Sequence, residues 1–261
     1  TTPYMVLAAD DDFILHDSLT ESVNFLQANQ DYGMCHGYCL MYLALAHGVN
    51  YYRRDKKVQE DYSSERAQDR VIDYMSQYIP PFYAVTRTDL MKNWHSALPA
   101  GTNFQWQEIG HVYYLLASAK ARILPMPYVV REINYGVSEH NTDVYHSLTY
   151  ADGKSVAERE AFAEFLASLP TAIKGLDAGQ LKAFALQSFE AMADSLKTGR
   201  ALTAELIFES TWNQNLRHPD RRFGPLQYVA MPFYNQPFFD RLEQFEFMLH
   251  AMPAGRLQLE Q

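Results

Sequence analysis

Asp10, Asp11 and Asp12 place three carboxylates side by side, directly after the apolar run Tyr4-Met5-Val6-Leu7-Ala8-Ala9. Like charges so close repel one another, and a core strand has no ordinary reason to end on them. A hard divalent cation supplies a reason. Mg²⁺ or Mn²⁺ takes oxygen ligands and needs only one or two protein carboxylates when substrate phosphates complete its shell. In open α/β sheets ligands bind beyond the carboxyl ends of the strands, which is where a buried strand over 4–9 would put this cluster. The plainer alternative is a solvated turn, with Asp17 and Ser18 starting the next helix.

Other residue types invite chemistry with less force. Glu108 stands at the expected first turn of a helix, where a carboxylate either complements the positive helix end or serves as a general base. Cys35 and Cys39 flank His36, but the spacing matches no zinc pattern and no second ligand pair accompanies it. Buried structural thiols are the better reading, and two cysteines make no disulfide framework. Arg53, Arg54, Lys56 and Lys57 form a basic patch that suits an anion or, more simply, a solvated loop.

Composition narrows the partners. A chain of 261 residues allows one large domain or two modest ones. Its net charge of −9 and pI near 5.4 argue against nucleic acid, which calls for a basic face. Apolar residues make up 48%, yet no uninterrupted apolar run is long enough to span a bilayer, and no basic leader with an apolar core opens the sequence. These features predict a cytoplasmic protein. The first strand begins at about Tyr4, whereas a doubly wound fold places at least one βαβ unit before a strand that carries the site. The N-terminal half of the domain is therefore expected to be missing.

Periodicity supplies the elements that must hold these groups. Ser18-Leu19-Thr20-Glu21 fits a capping box, and Leu19, Val23 and Leu26 give a helical face through about Ala28. Asn29-Gln30-Asp31 is a turn, and 32–42 is a strand. Residues 51–61 are expected as a polar loop. Ala67, Val71, Tyr74, Met75 and Tyr78 face inward on a helix over 64–78, which Pro80-Pro81 ends. A short strand over 82–86 leads through Arg87 into a helix over 88–97. Trp106 opens the next helix, striped by Ile109, Val112, Tyr113, Leu116 and Ala117. Residues 122–130 return as a strand that Pro125 and Pro127 place near an edge. Residues 131–146 are a loop whose Arg, Asn, Tyr and His content suits ligand contact. Past Tyr150 the spacing predicts helices over 155–167, 176–198 and 201–215, the second opened by Asp177 three residues before Gln180. A loop over 218–225 and an aromatic-rich stretch over 233–252 close the chain.

Several segments now form an ordered series. A strand ending in acids, an amphipathic helix, an Asn-x-Asp-Tyr turn and a strand come first. An aromatic strand with Thr86-Arg87-x-Asp89-Leu90, an acidic helix start and a Pro-rich strand ending in Arg131 with a distal His follow. This series resembles the C-terminal half of a GT-A-type glycosyltransferase domain, similar to the family 2 inverting enzymes, over roughly residues 3–146.

The resemblance implies an α/β fold: a partial GT-A-like (Rossmann-like) mixed sheet with flanking helices over 1–150, and a helical C-terminal extension over 151–261. It implies that Asp10, Asp11 and Asp12 hold a Mg²⁺ or Mn²⁺ ion and the ribose-diphosphate of a nucleotide-sugar donor, with Asp11 or Asp12 on the metal and Asp10 nearer the ribose. Ala9 departs from the family pattern, which often has another Asp there. Glu108 becomes the catalytic base, although Gln107 replaces the first acid of the family's pair. Arg131 looks like a donor-binding residue on a loop that closes over the diphosphate, with His140, or else His146, as an extra metal ligand. The acceptor is a glycan, lipid or protein, with peripheral contact at the cytoplasmic face of a membrane among the expectations. If the N-terminal nucleotide-binding part is missing, this chain is expected to bind nucleotide weakly or not at all, with activity then low or absent. Two other readings share the same residues: a non-catalytic, helix-rich interaction protein, and an Asp-dependent phosphatase. The phosphatase fits less well because Phe13-Ile14-Leu15 follow the acids where Gly and Thr are usual.

Overall fold

A computed structural model describes residues 2–9, 12–45, 48–54, 60–77, 81–132, 140–197, 204–211 and 227–228. Asp10, Asp11, Lys56, Lys57, Tyr78 and the stretches 218–225 and 233–252 lie outside the described residues, as do the side chains of Arg53, Arg54 and His140. In chain order the elements are β1 (Tyr4–Met5), β2 (Phe13–Ile14), α1 (His16–Ala28), β3 (Tyr32–Leu45), β4 (Gly48–Arg54), β5 (Asp61–Tyr62), α2 (Ala67–Met75), β6 (Val85–Arg87), α3 (Thr88–Ala97) and α4 (Phe104–Ser118). They continue as β7 (Lys120–Glu132), α5 (His140–Thr149), α6 (Gly153–Ser168), α7 (Ala178–Lys197), β8 (Ala204–Thr211) and β9 (Gln227–Tyr228). The fold is mixed α/β, with a mixed sheet flanked by helices.

Two long strands form its centre. β3 and β7 run parallel from Tyr32 opposite Lys120 to Tyr42 opposite Glu132. The other edge of β3 is shared, β6 taking Met34 and Cys35 while β4 takes Leu40 to Leu45. The other edge of β7 is shared too, β5 pairing with Ala121 and Arg122 and β2 with Val129 and Val130.

That sharing corrects the edge placement of β7. Its prolines lie in the gap between β5 and β2, where the β3–β7 register also shifts, so their missing N–H groups interrupt no regular ladder. Gly37 is required at the same bulge, because a Cβ there would collide with the carbonyl of Met126.

Alternation along β3 sorts two cores. Met34, Tyr38 and Leu40 face a large cluster with α2, α4, α6 and α7, while Cys35 faces a smaller one with Leu26 of α1, Val85 and Tyr128. In α4 every residue from Ile109 to Ala117 is buried, so the expected stripe is a helix enclosed all round. Gly110 permits this, since a Cβ would strike Trp94 and Phe162.

Other expectations change as well. The apolar run after Tyr4 gives only the two-residue β1, paired with β6, and residues 6–9 adopt no regular structure. Ser18 does not cap α1. The helix begins at His16, and the Ser18 hydroxyl donates to the carbonyl of Pro127. Residues 51–54 belong to β4 rather than to a loop, and 140–149 form α5. Within the helix expected over 201–215, the described residues 204–211 are instead β8, antiparallel to β4. The run Leu206-Ile207-Phe208, apolar and rich in β-forming side chains, carried the strand signal. The start of α7 matches its expectation: the Gln180 N–H donates to Asp177 Oδ1 at 2.8 Å and the Asp177 N–H to Gln180 Oε1 at 3.0 Å.

Candidate functional site

β2 is short, but its register matters. Phe13 stands opposite Val130 and Ile14 opposite Val129, so the residue before β2 meets the residue after Val130. Those residues are Asp12 and Arg131. The Arg131 Nε lies 2.9 Å from Asp12 Oδ2, with the Asp12 side chain 5% exposed and that of Arg131 41% exposed. The Tyr83 hydroxyl donates to the same Asp12 oxygen, and the Arg131 guanidinium lies over the Tyr83 ring, 5.6 Å from its centroid. Tyr83 is fixed in turn by the Tyr128 hydroxyl, which donates to its carbonyl at 2.7 Å.

A buried carboxylate must be compensated, and here a cation and a phenol do so. Burial works against the charge on Arg131, yet Asp12, followed by Tyr83 and Cys39, holds its pKa above the ordinary arginine value. The guanidinium therefore remains charged while its exposed part faces outward. This cluster sits at the end where β3 and β7 finish, the carboxyl side of the parallel pair.

Of the residues expected in the site, the structure brings Asp12 and Arg131 together, and it adds Tyr83 and Tyr128. Tyr83 lies in the turn before β6, and its aromatic neighbours were the only sequence signal for it. Glu108 lies in the second turn of α4, half-buried. The start of that helix connects to the cluster through rings: Phe104 lies 6.4 Å from Phe82, and Phe82 lies 5.2 Å from Tyr83. His140 opens α5, and His146, one further turn and a half along, stacks on Tyr150 instead of reaching Asp12.

The metal expectation can be tested on Asp12 alone. Among the described residues no three His, Cys, Asp or Glu side chains come together, with Asp10 and Asp11 outside that set. Both contacts of Asp12 fall on Oδ2, which leaves Oδ1 on the side away from Arg131. One carboxylate oxygen fits an ion held mainly by substrate phosphates and water, the usual arrangement for Mg²⁺.

Cys35 and His36 of β3 are structural, whereas Cys39 is only half-buried, unlike the expected buried thiol. Cys35 is buried and its pKa is pushed up to about 12 by burial, which rules out a reactive thiolate. His36 is buried, with Nδ1 2.8 Å from the Gly37 carbonyl and Nε2 3.1 Å from the Tyr74 hydroxyl; burial lowers its pKa to about 4. The motif residues Asn29 and Arg87 are also structural. Arg87 donates to the carbonyls of Tyr32 (2.7 Å), Leu26 (2.8 Å) and Asn29 (3.0 Å), so a cation closes the carboxyl end of α1. No described helix is long and apolar enough to cross a membrane. Comparisons with models of known families, with curated proteins and with solved structures find no match to this chain.

Proposed function

We propose that the chain is a metal-dependent, inverting glycosyltransferase of GT-A-like type, acting on a nucleotide-diphosphate sugar. The observation that carries this reading is the buried Asp12 carboxylate facing a charged, half-open Arg131 where the parallel strands finish. Asp12 takes Nε and so fixes the guanidinium plane, leaving the terminal nitrogens to meet diphosphate oxygens in the forked geometry that arginine favours.

A Mg²⁺ or Mn²⁺ ion held by Asp12, with Asp11 as the second acid, would supply Lewis-acid neutralisation of the leaving diphosphate. Arg131 adds a fixed positive charge where negative charge develops. Glu108 takes the proton from the acceptor hydroxyl as its oxygen forms the new bond to the anomeric carbon. The bond from that carbon to the diphosphate oxygen breaks with its electron pair, and attack from the opposite face inverts the centre. Tyr83 and Tyr128 act as positioning residues, holding Asp12 against Arg131.

The test is release of nucleoside diphosphate from uridine and guanosine diphosphate sugars at millimolar concentration with Mn²⁺. Glu108→Gln should lower release by at least about a hundredfold, the usual scale for a lost general base. Asp12→Asn should abolish it. Wild-type rates in Glu108→Gln would remove the base assignment, and release unaffected by Asp12→Asn would remove the donor site.

A further inference from the structure

A pocket of about 300 Å³ opens beside the start of α4, lined by Gln105, His146, Ser147, Tyr150, Ser155 and Glu158. His146 and Tyr150 stack in it with centroids 4.3 Å apart and ring planes 19° apart. Tyr150 is 48% exposed, so much of its ring remains open to solvent. Among the described residues the exposed large hydrophobics are Phe104, Tyr150 and Val156, and each either lines this pocket or adjoins a residue that does. Scattered apolar residues at a surface are ordinary, whereas a group gathered around one hollow marks a binding site.

The lining also indicates the class of ligand. It contains no Lys or Arg, and its one acid, Glu158, lies 3.8 Å from Lys154. Arg159 adjoins the pocket but already donates to the main-chain carbonyls of Ser147 and Tyr150 at 3.3 and 3.2 Å, so this cation is engaged and does not mark the pocket for a phosphate or carboxylate. The remaining polar groups are the Gln105 amide, the His146 imidazole and the hydroxyls of Ser147, Tyr150 and Ser155, and the Ser155 hydroxyl already donates to Asp152 at 2.7 Å, which leaves it to accept. A flat aromatic platform edged by such groups suits a neutral ring with one apolar C–H face and a rim of hydroxyls. A pyranose is such a ring.

Position links the pocket to the chemistry. Gln105 lines it, and Glu108 is three residues further along α4, on the same face of the helix. Phe104 continues through Phe82 to Tyr83 and so to Asp12. Resting on the transferase reading above, we infer that this pocket binds the sugar ring of a glycoside acceptor, stacked on Tyr150, with one hydroxyl turned towards Glu108.

Saturation-transfer NMR on the full chain with methyl gluco-, galacto-, manno- and N-acetylglucosaminides tests the inference. At least one glycoside should receive saturation on its ring C–H protons. Tyr150→Ala should weaken its binding at least tenfold, while Tyr150→Phe keeps it. Gln105→Ala should weaken the same glycoside, which guards against a folding artefact at position 150. Saturation of none of the four, or equal saturation in wild type, Tyr150→Ala and Gln105→Ala, overturns the inference. Phosphorus line broadening of the same nucleotide sugars with Mn²⁺, recorded on the wild-type samples, separates the two ideas. Donor binding without glycoside binding overturns the acceptor pocket alone. Glycoside binding without donor binding overturns the transferase reading and the acceptor role together.

Discussion

Where β3 and β7 begin, Lys120 reaches Asp31 at 2.8 Å and Glu65 at 2.6 Å, and the two acids are 58% and 88% exposed. Where the same strands finish, Asp12 is almost enclosed and shares one oxygen between Arg131 and Tyr83. Both are short ion pairs across neighbouring segments, yet they differ in kind. Water competes for both acids at the first end, although the Lys120 side chain is only 15% exposed, so the pairs there help little beyond fastening loops. At the second end the carboxylate has left water, and only its partners make that tolerable. A fold gains little stability from such a buried pair. Charges placed so, at the carboxyl end of parallel strands, are what the proposed donor site rests on.

The contrast can be broken by mutation. Arg131→Met leaves Asp12 with Tyr83 alone and should cost roughly 3 kcal/mol in denaturant unfolding, the lower end for breaking a buried pair because Arg131 is partly open to solvent. Adding Asp12→Asn to that variant should recover part of the loss, and a strictly additive double variant would count against the pair. Arg87→Ala removes three bonds from a cation to main-chain carbonyls and should cost about 2 kcal/mol, read the same way.

Mild acid sharpens the comparison, since ordinary carboxylates stay charged down to about pH 5 and both ends then remain intact. His36 and His111 are buried, and burial lowers their pKa values to about 4 and about 3, against 6.5 for a free ring. Between 6.5 and those values the unfolded chain binds protons that the folded chain refuses. Stability is therefore full above pH 6.5 and falls with decreasing pH by about 1.4 kcal/mol per unit for each ring. A flat unfolding midpoint from pH 7 to pH 5 would contradict this burial. The smallest effect belongs to the first end: Lys120→Ala should leave the midpoint nearly unmoved, because both of its acids return to water.

Helices with long apolar spacing were legible from the residues alone. α3 matches its expected bounds, and the Asp177–Gln180 capping box is present as expected. Short strands were not. The run after Tyr4 looked like a buried strand, but its apolar content is spent at a sheet margin against β6 and α1. β8 looked helical because its apolar residues carry a mixed period, and β4 decides its conformation by offering an edge. Ser18 carried a capping signal, but a main-chain acceptor on a distant strand claimed its hydroxyl.

Within the candidate site the acids and Arg131 could be picked out by type. Tyr83 could not, because a tyrosine among aromatic neighbours has no signature until its hydroxyl finds a carboxylate. Nor could Gln105, His146 and Tyr150 be read as one pocket.

The sequence by itself determined several of the long helices, which groups carry charge and where the acids crowd, because these depend on local periodicity and side-chain type. Only the tertiary structure decided that Asp12 faces Arg131 rather than solvent. That pairing depends on the register of a two-residue strand against the far end of β7, and no local rule sets the partner of so short a segment.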